Sequence, residues 1–249
     1  MHALRRQAQL SLAGAINFRD LGGYHTVDGR RTRYGRVFRS NSLQEVTHAD
    51  LKEIRERLRL VTVMDLRSPK EIGHDGVGPL VHESLRYINL PMLQEKGDYQ
   101  PGRIENGLVD RYLSYLQLAQ ESIVAALKTI SEGQPLLFHC SAGKDRTGVL
   151  AAVLLDCVGV DPEAIISDYA VSHRARDEIV NFLRRRPSYV ERLDQLPASA
   201  LDSEPSTMRE FLSLLNERYG GARSWALMAG LPETTIQALE STLLEPAVR

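Results

Sequence analysis

The residues best suited to chemistry lie in one run, His139-Cys140-Ser141-Ala142-Gly143-Lys144-Asp145-Arg146-Thr147-Gly148. Transfer of a phosphoryl group needs a nucleophile that can reach phosphorus and donors that hold the remaining oxygens as charge shifts. Cys140 offers the nucleophile. A tight loop entering a helix turns several backbone N–H groups and the positive end of the helix dipole toward one point, so Ser141, Ala142, Gly143 and Lys144 are read as the cradle of a bound phosphate. Gly143, with no Cβ, lets the chain bend and the ligand approach. Arg146 adds a planar fork of donors that matches two phosphoryl oxygens and keeps its charge. The same donors favour the thiolate over the thiol, whose ordinary pKa of ~8.5 leaves only a small reactive fraction at neutral pH. Thr147 is placed to donate to the sulfur, and His139 to brace the loop.

A bare Cys-x5-Arg can arise by chance, and a lone cysteine at a strand end is more often a small buried hydrophobe. Here the histidine, the loop glycine, the Arg-Thr-Gly exit, an apolar strand before and an apolar helix after all coincide. The second cysteine, Cys157, lies within the apolar stretch 149–160 and reads as core.

The elements that must position this loop alternate strand and helix. A strand at 61–64 ends in Asp65-Leu66-Arg67-Ser68-Pro69, another is expected at 86–90, and a third at 135–138 feeds the loop, which leads into a helix at 147–158. Strand, polar loop and buried helix in that order are the logic of α/β folds, whose ligands sit beyond the carboxyl ends of strands. Asp28-Gly29 predicts a hairpin turn between 24–27 and 37–40. Thr47 with Asp50 opens a helix with Leu51, Ile54 and Leu58 on one face. Helical spacing of Val109, Tyr112, Leu113, Leu116, Ile123, Leu127 and Ile130 predicts one long helix over 106–131 closed by Gly133. The C-terminal part is helical, with a capping box at Thr207 and Glu210 and a last helix carrying Ile236, Leu239 and Leu243. The stretch 187–205 reads as an irregular connection.

The 249 residues are 43% hydrophobic and 25% charged, with a net charge of -1. That near neutrality argues against a nucleic-acid partner. Two cysteines cannot frame a chain of this length with disulfides. Residues 1–15 do not read as a secretory signal, and no run of ~18 apolar residues marks a membrane span. A single domain over 1–249, cytoplasmic and without integral membrane association, is the expectation.

His-Cys-x5-Arg-Thr-Gly resembles the signature loop of the protein tyrosine phosphatase superfamily. The fuller Gly143-Lys144-Asp145-Arg146-Thr147-Gly148 is similar to the loop of its bacterial atypical class, which acts on phosphotyrosine and, in some members, phosphoinositides. Asn17-Phe18-Arg19-Asp20-Leu21-Gly22-Gly23, Phe38-Arg39-Ser40 and Asp65-Leu66-Arg67-Ser68 match the same class in the same order. The resemblance implies an α/β fold with a central mixed sheet flanked by helices, a phosphorylated protein or phosphoinositide as substrate, and no metal or organic cofactor. It also implies a helical lid near 161–186.

The chain lacks the Trp-Pro-Asp loop that carries the general acid in the classical tyrosine phosphatases; its one tryptophan, Trp225, is far downstream. Asp145, inside the phosphate loop, is the first candidate for that acid. Asp65, at a strand end, is the second and is also placed near the substrate, with Asp98 and Asp110 behind it. Arg19, Asp20, Arg39 and Arg67 are expected to form a buried bracing network. Lys144 suits a second phosphate or an ion pair with an aspartate, and Arg184-Arg185-Arg186 reads as a solvated helix face. An inositol-polyphosphate phosphatase would use the same loop. Rhodanese and arsenate reductase loops fit the Arg-Thr-Gly exit less well, and a non-catalytic phosphoprotein-binding module has no need of Cys140.

Overall fold

The computed structural model describes residues 12–92, 107–191 and 193–246. In chain order the strands are β1 (Arg19–Asp20), β2 (Arg31–Thr32), β3 (Val37–Ser40), β4 (Thr62–Asp65), β5 (Arg86–Asn89), β6 (Leu136–His139) and β7 (Leu244–Glu245). The α-helices are α1 (His48–Glu53), α2 (Pro69–Asp75), α3 (Gly107–Leu118), α4 (Gln120–Ser131), α5 (Asp145–Cys157), α6 (Pro162–Val171), α7 (Arg176–Arg184), α8 (Pro205–Tyr219), α9 (Ala222–Met228) and α10 (Glu233–Leu243).

Five strands form the central sheet in the order β1-β3-β6-β4-β5. The last four run parallel, and β1 closes one edge antiparallel to β3. Successive side chains of a strand point to opposite faces, and the core divides accordingly. Val37, Met64, Leu136 and Phe138 face the larger core built with α3 to α6 and α8 to α10. Phe38, Val63 and Leu137, paired in register across three strands, face a smaller core built on α1. Burying each such side chain contributes about 2 kcal/mol. Because both faces are covered, β6 is apolar from Leu136 to Phe138, and polar groups begin with His139 at its C-terminal end. That end lies at the middle of the sheet.

Thr47 and Asp50 form the expected capping box of α1, and Asp50 also accepts from the Ala13 and Gly14 N–H groups at 2.7 and 2.9 Å. Three local readings need correction. The turn at Asp28-Gly29 returns the chain onto itself, pairing His25 with Arg31, and 37–40 belongs to the central sheet. The predicted long helix is two, divided at Ala119 (φ −117°, ψ 22°), where neither proline nor glycine marks the bend. Helix α8 starts at Pro205 with Glu204 as its N-cap, because proline suits the first helical position, so Thr207 lies inside it and caps nothing. Among the described residues no helix is long and apolar enough to cross a membrane.

The expected lid region also divides. Ile165, Ile166 and Tyr169 of α6 belong to the large core. Ile179, Phe182 and Leu183 of α7 instead join Leu193 in a separate small cluster that packs against Ala142.

Candidate active site

Strand β6 delivers His139 to the C-terminal edge of the sheet, and the chain turns at once into α5. Cys140 is 2% exposed and lies on a cavity of about 360 Å³, which Ala142, Lys144, Asp145 and Arg146 also line. The bend depends on Gly143, whose φ is 68° and where a Cβ would come within 2.5 Å of the Ser40 carbonyl. The Gly143 carbonyl accepts from Asn17 Nδ2 at 3.0 Å and Arg39 Nη2 at 2.9 Å. The loop is thus tied from beneath to the strand end beside it.

Arg146 is buried, and its guanidinium makes a two-pronged pair with Glu71, at 2.6 Å to Oε2 and 2.8 Å to Oε1. Burial opposes the charge on each partner, but each holds the other ionised: the Glu71 carboxyl stays far below its ordinary range and Arg146 stays charged. Ser141 Oγ donates to Glu71 Oε1 at 2.8 Å and accepts from Arg146 Nη2 at 3.3 Å. The Tyr189 hydroxyl, from the chain after α7, lies 3.1 Å from Glu71 Oε1 and 3.4 Å from Arg146 Nη2. The sequence reading missed Glu71. A signal was present, since Ser68 and Glu71 form the capping box of α2, and the same carboxylate that caps the helix also orients the arginine.

Asp145 lines the cavity, and its Oδ1 accepts from Lys144 Nζ at 2.8 Å and from the Tyr112 hydroxyl at 2.6 Å. Burial works against its charge, but Lys144, Arg111 and the hydrogen bond from Tyr112 outweigh it and hold the carboxyl below the usual range. The Lys144 ammonium also donates to the Asp202 carbonyl at 3.0 Å. Of the two partners foreseen for Lys144, the structure shows the aspartate.

Asp65 is not among the residues around the cavity. It is fully buried, bound to Arg67 at 2.6 Å and to the Tyr87 hydroxyl at 2.8 Å. Burial opposes its charge and the Arg67 guanidinium outweighs it. With its oxygens engaged inside the protein, Asp65 is placed as a brace of the strand end. His139 lies beside it, with Nε2 3.8 Å from Asp65 Oδ2. Burial pushes its imidazole down to about 4, so the ring is neutral at pH 7 and fits a bracing role. The Thr147 hydroxyl is buried with no partner, so the expected bond to sulfur is not made in this structure.

Of the four residues expected to form one bracing network, only Arg19 and Arg39 share a partner, a residue the sequence reading overlooked, while Arg67 pairs with Asp65. Asp168 of α6 accepts from Arg19, Arg39 and the Tyr24 hydroxyl. Asp20 stands apart, accepting from the Gly22 and Gly35 N–H groups, and burial raises its carboxyl to about 6. Asp110 sits in the first turn of α3, away from the cavity lining, and Asp98 falls outside the described residues. Cys157 is core, with burial pushing its thiol up to about 12. Arg185 and Arg186 both pair with Glu45, so the basic run is more than a solvated face.

A family model described as the tyrosine phosphatase family matches residues 10–245. A protein of Cupriavidus necator, named as a candidate tyrosine-protein phosphatase, is 32% identical over 169 residues, 64% of this chain; the match spans 60% of that relative's length. The triple specificity protein phosphatase PtpB of Mycobacterium tuberculosis is 27% identical over 279 residues, covering 94% of this chain and 98% of its own. Among solved structures, P. aeruginosa TpbA is 18% identical over 69% of this chain and 92% of its own, with a TM-score of 0.36. A match from residue 10 to residue 245 takes in the sheet, the loop after β6 and the helices beyond it, and on that ground the chain belongs to the tyrosine phosphatase family.

Proposed function

We propose that this phosphatase hydrolyses phosphate monoesters through a phosphocysteine at Cys140, with phosphotyrosine in proteins as its main substrate and phosphoinositides as a second class. The observation that carries the reading is the make-up of the cavity. Cys140 and Arg146 line it together with Ile179, Val180, Leu183, Leu196 and Leu201. An apolar lining that shares a cavity with a buried thiol suits an aryl ring between the peptide and its phosphate, whereas a phosphoserine side chain is too short to use it. For the second class, Lys70 and His74 border the same cavity, and PtpB is named for triple specificity. Lys144 is a poor candidate for gripping a second phosphate, because its ammonium is already engaged by Asp145 and the Asp202 carbonyl.

In this mechanism the thiolate attacks phosphorus, Arg146 and the loop N–H groups hold the equatorial oxygens, and Asp145, which takes up a proton when the dianionic phosphate ester binds beside it and disfavours its charge, protonates the leaving oxygen. Water then releases phosphate from the phosphocysteine. Helix α7 and the chain to Leu201 form a roof that limits access of water and oxidants to Cys140. The test is a panel of phosphotyrosine, phosphoserine and phosphothreonine peptides with phosphoinositides and soluble inositol phosphates, run on the native enzyme and Cys140→Ser. Phosphotyrosine peptides should turn over fastest, and the variant should bind them without turnover, since an alcohol without a dedicated base is a poor nucleophile. Substantial activity in Cys140→Ser would rule out the mechanism. Faster turnover of inositol phosphates than of peptides would shift the assignment to the inositol-polyphosphate class.

A further inference from the structure

Asp145 is approached by a chain of hydroxyl groups that the mechanism above does not use. Tyr112 Oη lies 2.6 Å from Asp145 Oδ1 and 2.8 Å from the Tyr169 hydroxyl. A phenol carries a single proton. The short contact to a carboxylate takes the Tyr112 proton, since hydrogen bonds to ionised acceptors are the stronger ones, so Tyr169 must donate to Tyr112. Oδ1 therefore receives both Tyr112 and Lys144, while among the described residues no donor reaches Oδ2. The Tyr112 ring cannot swing away. It is wholly buried and packs against the rings of Tyr115, Tyr169 and Phe211 at centroid distances of 6.2, 6.1 and 6.1 Å. Tyr169 in turn fits because α5 carries Gly148 at the point of contact, where a Cβ would lie 3.1 Å from its ring.

We infer that Tyr112, backed by Tyr169, is a positioning residue for the proton transfer: it fixes Oδ1 of Asp145 as an acceptor and leaves Oδ2 to exchange the proton with substrate. The inference rests on Asp145 being the general acid. In the first half-reaction the Cys140 Sγ–P bond forms as the ester P–O bond breaks. The electron pair goes to the ester oxygen, which takes the proton from Oδ2. In the second, water bonds to phosphorus through its oxygen and returns a proton to Oδ2, and the S–P electron pair returns to Cys140 as thiolate. The cations facing Asp145 are Lys144 and Arg146 from its own loop and helix and Arg111 from α3; the phenols are Tyr112 and Tyr115 from α3 and Tyr169 from α6. Of these phenols, Tyr112 and Tyr169 form the hydroxyl chain to Asp145, and removing either hydroxyl leaves this set of charges unchanged.

The experiment compares the native enzyme with Tyr112→Phe, Tyr169→Phe and Asp145→Asn on an activated aryl phosphate and an alkyl phosphate across pH, with Tm for each. Tyr112→Phe should slow the alkyl ester by about tenfold or more and the aryl ester less, because only the poor leaving group needs the acid. Losing a donor to the carboxylate favours its protonated form, so the alkaline limb of the rate profile should move to higher pH. Tyr169→Phe should move it the same way by less. An unmoved limb in both phenylalanine variants, with equal slowing of both esters, would overturn the inference while leaving the acid in place, provided Asp145→Asn still discriminates between leaving groups. Equal slowing of both esters in Asp145→Asn would remove Asp145 as the acid and this inference with it.

Discussion

Two glutamates hold arginines in this fold, one at the cavity and one away from its lining, and they do so under different physical conditions. Glu71 and Arg146 are both buried at the floor, paired through both oxygens and both terminal nitrogens, with Ser141 and Tyr189 completing the set. Glu45 sits outside the roof, about a third exposed, and receives Arg185 and Arg186. Next to that contact Ser188 is held by Asp75, and Arg186 covers the Phe182 ring at 4.2 Å. At the floor, removing one partner strands an uncompensated charge inside the protein. At the Glu45–Arg185 pair, where both side chains are exposed, water replaces whatever is lost. The buried Glu71 site is therefore built for one fixed geometry, whereas the exposed pair can loosen by itself.

Removing the floor contact should have the larger effect. Glu71→Gln keeps the shape but leaves Arg146 as a buried cation with no countercharge. We expect a stability loss of about 3–5 kcal/mol, read by denaturant unfolding, and a fall in kcat/KM of more than about a hundredfold. An unchanged stability would mean that the pair is not a structural clamp. A milder effect separates two groups on the floor side by pH. His139 titrates near 4 in the fold and ~6.5 unfolded, so the stability it contributes is complete above ~6.5 and is lost as pH falls toward 4. Asp20, raised to about 6 from its ordinary 3.8, has the opposite sign: its contribution is present at low pH and is lost as pH rises through 6. Between pH 7 and 5 the first costs about 2 kcal/mol and the second returns about 1 kcal/mol. Asp20→Asn should therefore steepen the loss of Tm on acidification, and His139→Gln should abolish or reverse it. Equal slopes in both variants would refute the assignment. The smallest effect belongs to the roof. Glu45→Gln should lower stability by less than about 1 kcal/mol yet speed peroxide inactivation of Cys140 by a few-fold. If inactivation is unchanged, the Glu45 contacts do not govern access to the thiol.

The difference between floor and roof also explains what could be read from the sequence. Residues 139–148 carry their own geometry, because nucleophile, bend and cation are neighbours in the chain. Strands β4 and β6 followed from apolar runs at 61–64 and 135–138 for the same reason, whereas β1, two polar residues at the sheet edge, left no such run. Glu71 and Asp168 act across large separations, 75 residues to Arg146 and 129 to Arg39, and each reads locally as an ordinary helix residue. Asp65 shows the converse: its place at a strand end suggested chemistry, but its role depends on Arg67 and Tyr87 folding over it. The break at Ala119 had no local signal, because a buried alanine is as good a helix former as any residue.

One remaining feature concerns time. Strand β2 pairs with β7, and Arg31 is bound to Glu245 across 214 residues of chain. Loop-closure entropy grows slowly with length, so this clasp costs only about 0.6 kcal/mol more than one of half its span. The delay is kinetic, since pairings between distant segments form slowly. During synthesis every strand of the central sheet and the loop after β6 leave the ribosome before β7 exists. The catalytic loop can thus take shape on an unclasped scaffold, and the nascent enzyme passes through a stage in which its thiol is formed before the chain around it is closed.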